Sequence, residues 1–208
     1  MNIFERIFLK YQSAMPISGN STFLPSFETI KINDFGLCKH WMNIVTENDT
    51  RYEQLYVGRG LQHQFPSTIF YKDSLKDFST INKRFIRKAL KEVYDNKTGC
   101  YMNFMTASAT DDFDIVHFLA LPIDYPETQA PTFIFAYLFV YDEQSDGIIS
   151  HVPQQEKIIK IATFDIGFGT SNLIEEMKFS DIIEITKIDK TSHVVANFKE
   201  NEKSAVLC

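Results

Sequence analysis

The amino-acid sequence predicts an α+β protein: a five-stranded antiparallel sheet with helices on one face and an N-terminal helix on the other. Three observations carry this. Two strand-like runs come first and three more come late in the chain. Between them lies the clearest helical period of the sequence, residues 81–96. The run from Phe133 to Tyr141 is apolar at every position, so both sides of its strand must be covered.

The elements follow in order. Residues 2–12 place Ile3, Phe4, Ile7, Phe8 and Tyr11 at helical spacing, which predicts a short amphipathic helix. Residues 13–37 hold Pro16, Gly19, Pro25 and Gly36 among small polar residues and are expected to be irregular. His40–Thr46 and Tyr52–Val57 are strand runs separated by the turn-prone Glu47-Asn48-Asp49-Thr50, a hairpin pattern. Residues 61–80 are expected to form short helical turns and loops, with Thr80 capping the next helix.

In the helix over 81–96, Ile81, Phe85, Ala89, Leu90, Val93 and Tyr94 form the predicted apolar stripe. Lys83, Arg84, Arg87, Lys88 and Lys91 line the other side, and Asn96-Lys97-Thr98-Gly99 supplies a stop. Strands are then expected at Cys100–Ala107, Phe113–Leu121 and Thr132–Tyr141. In the last of these, Phe133, Phe135, Tyr137, Phe139 and Tyr141 face one way, and Ile134, Ala136, Leu138 and Val140 the other. The N-terminal helix, or a dimer partner, is expected to cover the second face. Beyond a polar stretch at 142–157, Ile158–Phe168 reads as another strand and Asn172–Lys178 as a short helix. Ile182–Ile188 reads equally as strand or helix, and the last dozen residues as frayed.

Composition narrows the function classes. Hydrophobic residues make up 44% of the chain and charged residues 23%, a globular balance. A net charge of −6 disfavours a general phosphate-backbone binder, so no nucleic-acid partner is expected. The longest apolar run falls far short of the ~20 residues a membrane helix needs, so no membrane partner is expected either. Cys38, Cys100 and Cys208 form no CxxC pair, and the opening MNIFERIFLKYQ carries Glu5, Arg6 and Lys10, unlike a signal-peptide core. A reduced, cytoplasmic setting is the expectation.

The segment from Leu24 to Gly58 resembles the opening of a divergent PAS-domain subfamily abundant in alphaproteobacteria. Leu24-Pro25-Ser26 is similar to a Leu-Pro-Ser lead into the first strand, and Gln54-Leu55-Tyr56-Val57-Gly58 to a strand ending in an "R-L-V-G"-like sequence. Ser74-Leu75-Lys76-Asp77-Phe78 looks like the "S-L-D-E-L" stretch before the long helix, and Leu119-Ala120-Leu121-Pro122 like a fourth strand ending in "L-P-L". The resemblance covers about residues 24–141. It departs after the second strand, where FPSTIFYKDSL stands in place of a glycine-containing stretch. It implies a PAS-like domain over 24–142. The residue patterns above add an N-terminal helix and linker over 1–23 and a C-terminal extension over 143–208, read with an extra strand and helix, which the resemblance does not explain.

What the resemblance implies for function is a non-catalytic sensory or regulatory module. Such domains bind a small ligand between sheet and helix, or a protein partner, or form homodimers. Trp41, Asn43, Tyr56, Phe85, Phe104, His117, Phe135 and Tyr137 are the candidate ligand-binding residues. No cofactor is identified. Haem is disfavoured because residues 81–96 contain no histidine, and flavin because no Asn-Cys-Arg-Phe-Leu-Gln type segment occurs.

Other candidates read more simply as structure. His40, His63, His117, His151 and His193 are scattered without metal-ligand spacing. Asp111, Asp112 and Asp114 read as a solvated turn, DIGFGTS at 165–171 as a tight loop and Cys100 as a small buried hydrophobe. Two further function classes stay open: a small α+β hydrolase or isomerase using a buried His/Asp site around His117, and a dimerisation scaffold with no ligand. The cations of helix 81–96 read as a solvated face or as a contact for an acidic partner.

Overall fold

The computed structural model describes residues 2–16, 23–48, 51–64, 75, 79–107, 113–127, 130–140, 157–168 and 175–185. The first helix, α1 (Ile3–Ser13), begins where Asn2 accepts the Phe4 amide at 2.8 Å and donates its own amide to Glu5 at 3.3 Å. This reciprocal cap satisfies donors that have no partner inside the helix. Phe4, Ile7, Phe8 and Tyr11 are buried, which is the stripe expected from the sequence.

Residues Ile32–Trp41 form 3₁₀ turns where irregular chain and the start of a strand are expected. Gly36 divides them at φ 55°, a conformation that costs glycine little. The first strand therefore starts at Met42. The hairpin comprises β1 (Met42–Asn48) and β2 (Arg51–Val57), with a register shift between Ile44 and Val45. A short helix, α2 (Arg59–Gln64), follows.

The long helix α3 (Thr80–Asn96) is capped by Ser79, whose hydroxyl accepts the Asn82 amide at 3.2 Å. Thr80, the expected cap, is the first helical residue. Lys97 ends the helix in the left-handed region at φ 53°. Three long strands come next: β3 (Thr98–Ala107), β4 (Phe113–Ile123) and β5 (Thr132–Val140). They are followed by β6 (Lys157–Asp165), the two-residue β7 (Glu175–Glu176) and α4 (Phe179–Ile185). Part of the helix expected at Asn172–Lys178 is thus strand, because 175–176 pair in parallel with β6. The ambiguous run from Ile182 is helical as far as it is described.

All the described strands join one sheet in the order β2-β1-β5-β4-β3-β6-β7. Six are antiparallel and β7 is parallel to β6. The fold is α+β, with six antiparallel strands instead of the five expected. The sixth, β6, continues the sheet beside β3, so the sheet runs across the expected boundary at 143.

The alternation of β5 is realised on both sides. Ile134, Ala136 and Leu138 join a core with α1, while Phe133, Phe135 and Tyr137 join a second core with α3. All six are at most 7% exposed, so the central strand is enclosed from both faces. The α1 side also takes Phe164, whose ring occupies the space a Cβ on Gly99 would need. At the edge of this core, Leu24-Pro25-Ser26 docks on the end of β4: Phe27 N–H donates to the Asp124 carbonyl at 2.7 Å, and Asp124 N–H to that of Pro25 at 2.9 Å. Pro122 is tolerated within β4 because the ladder to β3 stops at Ala120.

Candidate functional site

The register decides which candidate residues meet. Asn43 lies opposite Phe135, and Phe118 opposite Tyr137, all on the α3 face. Phe104 reaches the same core from β3, and Trp41 packs against it from the last 3₁₀ turn. Asn43, Phe104, Phe135 and Tyr137 are buried there at 7% exposure or less. The face is rich in rings, set among Val45, Met102, Val116 and Ala120. Phe118 stands edge-on to Phe135 at 4.7 Å and to Tyr137 at 5.3 Å, and Tyr52 lies 6.1 Å from both Phe133 and Phe135. These are favoured ring-pair geometries.

Three candidate residues lie elsewhere. Tyr56 pairs with Ile44 and faces the α1 side, where its hydroxyl donates to the Lys39 carbonyl at 3.0 Å. His117 also faces the α1 side, one register step from Phe118. Phe85 sits on α3 but is 55% exposed. The apolar arc of α3 that meets the sheet is Ile86, Ala89, Leu90 and Val93. Phe85 and Ile86 are both apolar and stand about 100° apart around the axis; Ile86 lies within the arc that meets the sheet and Phe85 falls outside its edge.

Sequence reading placed Phe133 on the face of Phe135 but left it out of the candidate residues, and it missed Tyr52, Phe118 and Arg87 as members of this face. The Arg87 guanidinium lies 5.9 Å from the centroid of the buried Tyr52 ring. Its Nε is buried with no hydrogen-bond partner among the described residues. The placement of Phe133 was legible, since it shares the parity of Phe135. The cation on Tyr52 was not, because it depends on how α3 lies across β2.

On the opposite face, Nδ1 of His117 and the Tyr101 hydroxyl are 2.7 Å apart and buried. Burial pushes the His117 pKa down to about 4 and that of Tyr101 up to about 12. At neutral pH both are uncharged, so one donates and the other accepts. A histidine this acidic is a weak base at neutral pH. Asn103 lies across from His117 on β3, and its Oδ1 is buried with no hydrogen-bond partner among the described residues.

Both described cysteines are free and buried. Burial raises the Cys38 thiol and pushes Cys100 up to about 12, which keeps each protonated and poorly nucleophilic. His40 is partly buried and its pKa is lowered, first by burial and then by Lys39 and Arg59. Among the described residues, no three His, Cys, Asp or Glu side chains are grouped to hold a metal ion. None of the described helices is long and apolar enough to cross a membrane. His151, His193, Asp111, Asp112 and Cys208 lie outside the described residues.

Fold and site together define an α+β protein with one sheet, antiparallel except at β7 and cored on both faces, an aromatic-rich face under α3 and a neutral His–Tyr pair under α1. No protein-family model matches the chain, and no curated protein does.

Proposed function

We propose that the chain is a non-catalytic sensory or regulatory module of the PAS type, which binds a small apolar ligand on the α3 face of its sheet. The observation that supports this most is topological. Two strands, a helical crossover and three antiparallel strands lie in a single sheet, with β1 beside β5 and α3 across one face. The additional β6, β7 and α4 extend that arrangement. An aromatic face with the polar groups of Asn43 and Trp41 at its margin suits an apolar molecule with one polar end. Free, buried cysteines fit a reduced cytoplasmic setting.

The non-catalytic reading rests on His117. A hydrolase or isomerase of the His/Asp kind needs a carboxylate to orient the imidazole and a pKa near working pH. Among the described residues, the hydrogen-bond partner of His117 is the Tyr101 hydroxyl.

The test uses Trp41, the single tryptophan of the chain, as a reporter. Native mass spectrometry of the purified protein is expected to show a co-purified organic adduct. After its removal, titration with medium-chain fatty acids and aromatic carboxylates is expected to shift Trp41 emission saturably and raise the thermal midpoint. A bare chain whose Trp41 answers to none of these compounds overturns the reading.

A further inference from the structure

The N-terminal half of α3 combines two exposed apolar side chains with cations that form no ion pair among the described residues. Ile81 is 81% and Phe85 55% exposed, one helical turn apart on one side of the helix. The C-terminal half satisfies its charges internally: Lys88 pairs with Glu92 at 3.9 Å and Lys91 with Asp95 at 3.1 Å. Lys83 and Arg84 form no ion pair among the described residues. The first turn of the helix carries no acidic residue. With about 100° of rotation per residue, Arg84 lies beside Ile81 and Phe85, so apolar exposure and a cation with no ion pair among the described residues coincide on one strip; Lys83 falls on the far side of the helix, and the arc of Ile86, Ala89, Leu90 and Val93 is committed to the core.

We infer that this strip, centred on Phe85 and Arg84, docks a protein segment that presents an apolar stripe flanked by Asp or Glu. Aromatic and arginine side chains together are the usual anchors of protein interfaces. Charge complementarity selects the occupant. The chain carries a net −6, yet this strip is basic, so an acidic segment is steered to it in preference to the rest of the surface. A two-fold dimer through the strip would set one basic patch against its own copy. An anionic membrane would meet only two apolar side chains and a protein of net negative charge. The inference deepens the regulatory reading, since it supplies the contact by which a bound state is passed on.

The experiment is an amide NMR titration of the full chain with a synthetic helical peptide. The peptide carries Leu and Phe at helical spacing, flanked by Glu. A control peptide keeps the Glu residues and replaces Leu and Phe by Ser. The expected result is saturable shifts confined to residues 80–88 with the first peptide only. Affinity is expected to fall about tenfold or more in Phe85→Ser and in Arg84→Glu, with unchanged thermal midpoints. Shifts centred elsewhere, equal binding of the control peptide or unaltered affinity in both variants overturns the inference. So does binding of phosphatidylserine vesicles or a DNA duplex, but not the peptide, through these residues. Failure here with the Trp41 response intact removes the docking strip alone. Failure of the Trp41 titration alone removes the ligand reading.

Discussion

The Tyr11 hydroxyl donates a 2.7 Å hydrogen bond to the carbonyl of Pro122, joining α1 to β4 across 111 residues of chain. Both partners are buried. Tyr11 is fully enclosed, and burial holds its pKa well above the usual tyrosine value. The bond fixes where α1 crosses the sheet and so which residues of β5 it covers. Tyr11→Phe keeps the ring but leaves the Pro122 carbonyl without this donor. Chemical denaturation is expected to show a loss of about 1–3 kcal/mol with α1 still helical by circular dichroism.

His117 makes stability depend on pH with a definite sign. Its folded pKa is about 4, below the ordinary histidine value of 6.5. The unfolded chain therefore takes up a proton first as pH falls. The neutral-histidine contribution is complete above about pH 6.5 and is lost progressively down to about pH 4, with a limiting slope of about 1.4 kcal/mol per pH unit. Denaturation midpoints measured across that window should fall in the wild type. His117→Gln, which retains an acceptor for Tyr101, should flatten this part of the profile. Parallel curves for the two proteins would assign the pH dependence to other groups.

Gly99 and Phe164 are cross-strand neighbours whose fit depends on the missing side chain. Gly99→Ala places a methyl inside the Phe164 ring position and is expected to destabilise by about 1–3 kcal/mol. Phe164→Ala alone opens a cavity, at a cost of about 3–5 kcal/mol. The double variant should lose less than the sum of the two single losses, because each change relieves the strain or void left by the other. Strict additivity would mean that the pair does not compete for one space.

The two apolar edges of α3 are separable by stability. Ile86→Ala should cost about 2–5 kcal/mol, as for a fully buried isoleucine. Phe85→Ala should remain within about 0.5 kcal/mol of wild type, as for a surface site. A large loss at Phe85 would show that its ring is covered in solution.

Much of the architecture was written in local pattern. The 3.6-residue spacing of Phe4, Ile7, Phe8 and Tyr11 marked α1, and the unbroken apolar run of β5 required cover on both faces. Both features arise within a few residues, where backbone geometry alone dictates which side chains share a side. The Gly and Pro content of residues 13–37 concealed the 3₁₀ turns at Ile32–Trp41, because turn-forming residues serve tight helical turns as well as loops. The cap of α3 was displaced by one residue for a similar reason, since Ser79 and Thr80 carry equivalent hydroxyls.

The candidate site was legible in part. Asn43, Phe104, Phe135 and Tyr137 share the α3 face, whereas His117 and Tyr56 belong to the other side. Parity along one strand is visible in sequence. The parity of one strand relative to the next is set by hydrogen-bond register, and the shift between Ile44 and Val45 alters it within β1 and β2.

By itself, then, the sequence determined that there is a helix to cap, a strand to bury twice and a globular chain of mixed helix and sheet. Only tertiary structure decided that Ile86 and not Phe85 enters the core, that β6 joins β3, and that His117 meets a tyrosine. Periodicity is a property of neighbours along the chain; pairing and choice of face depend on residues far apart in sequence competing for the same space.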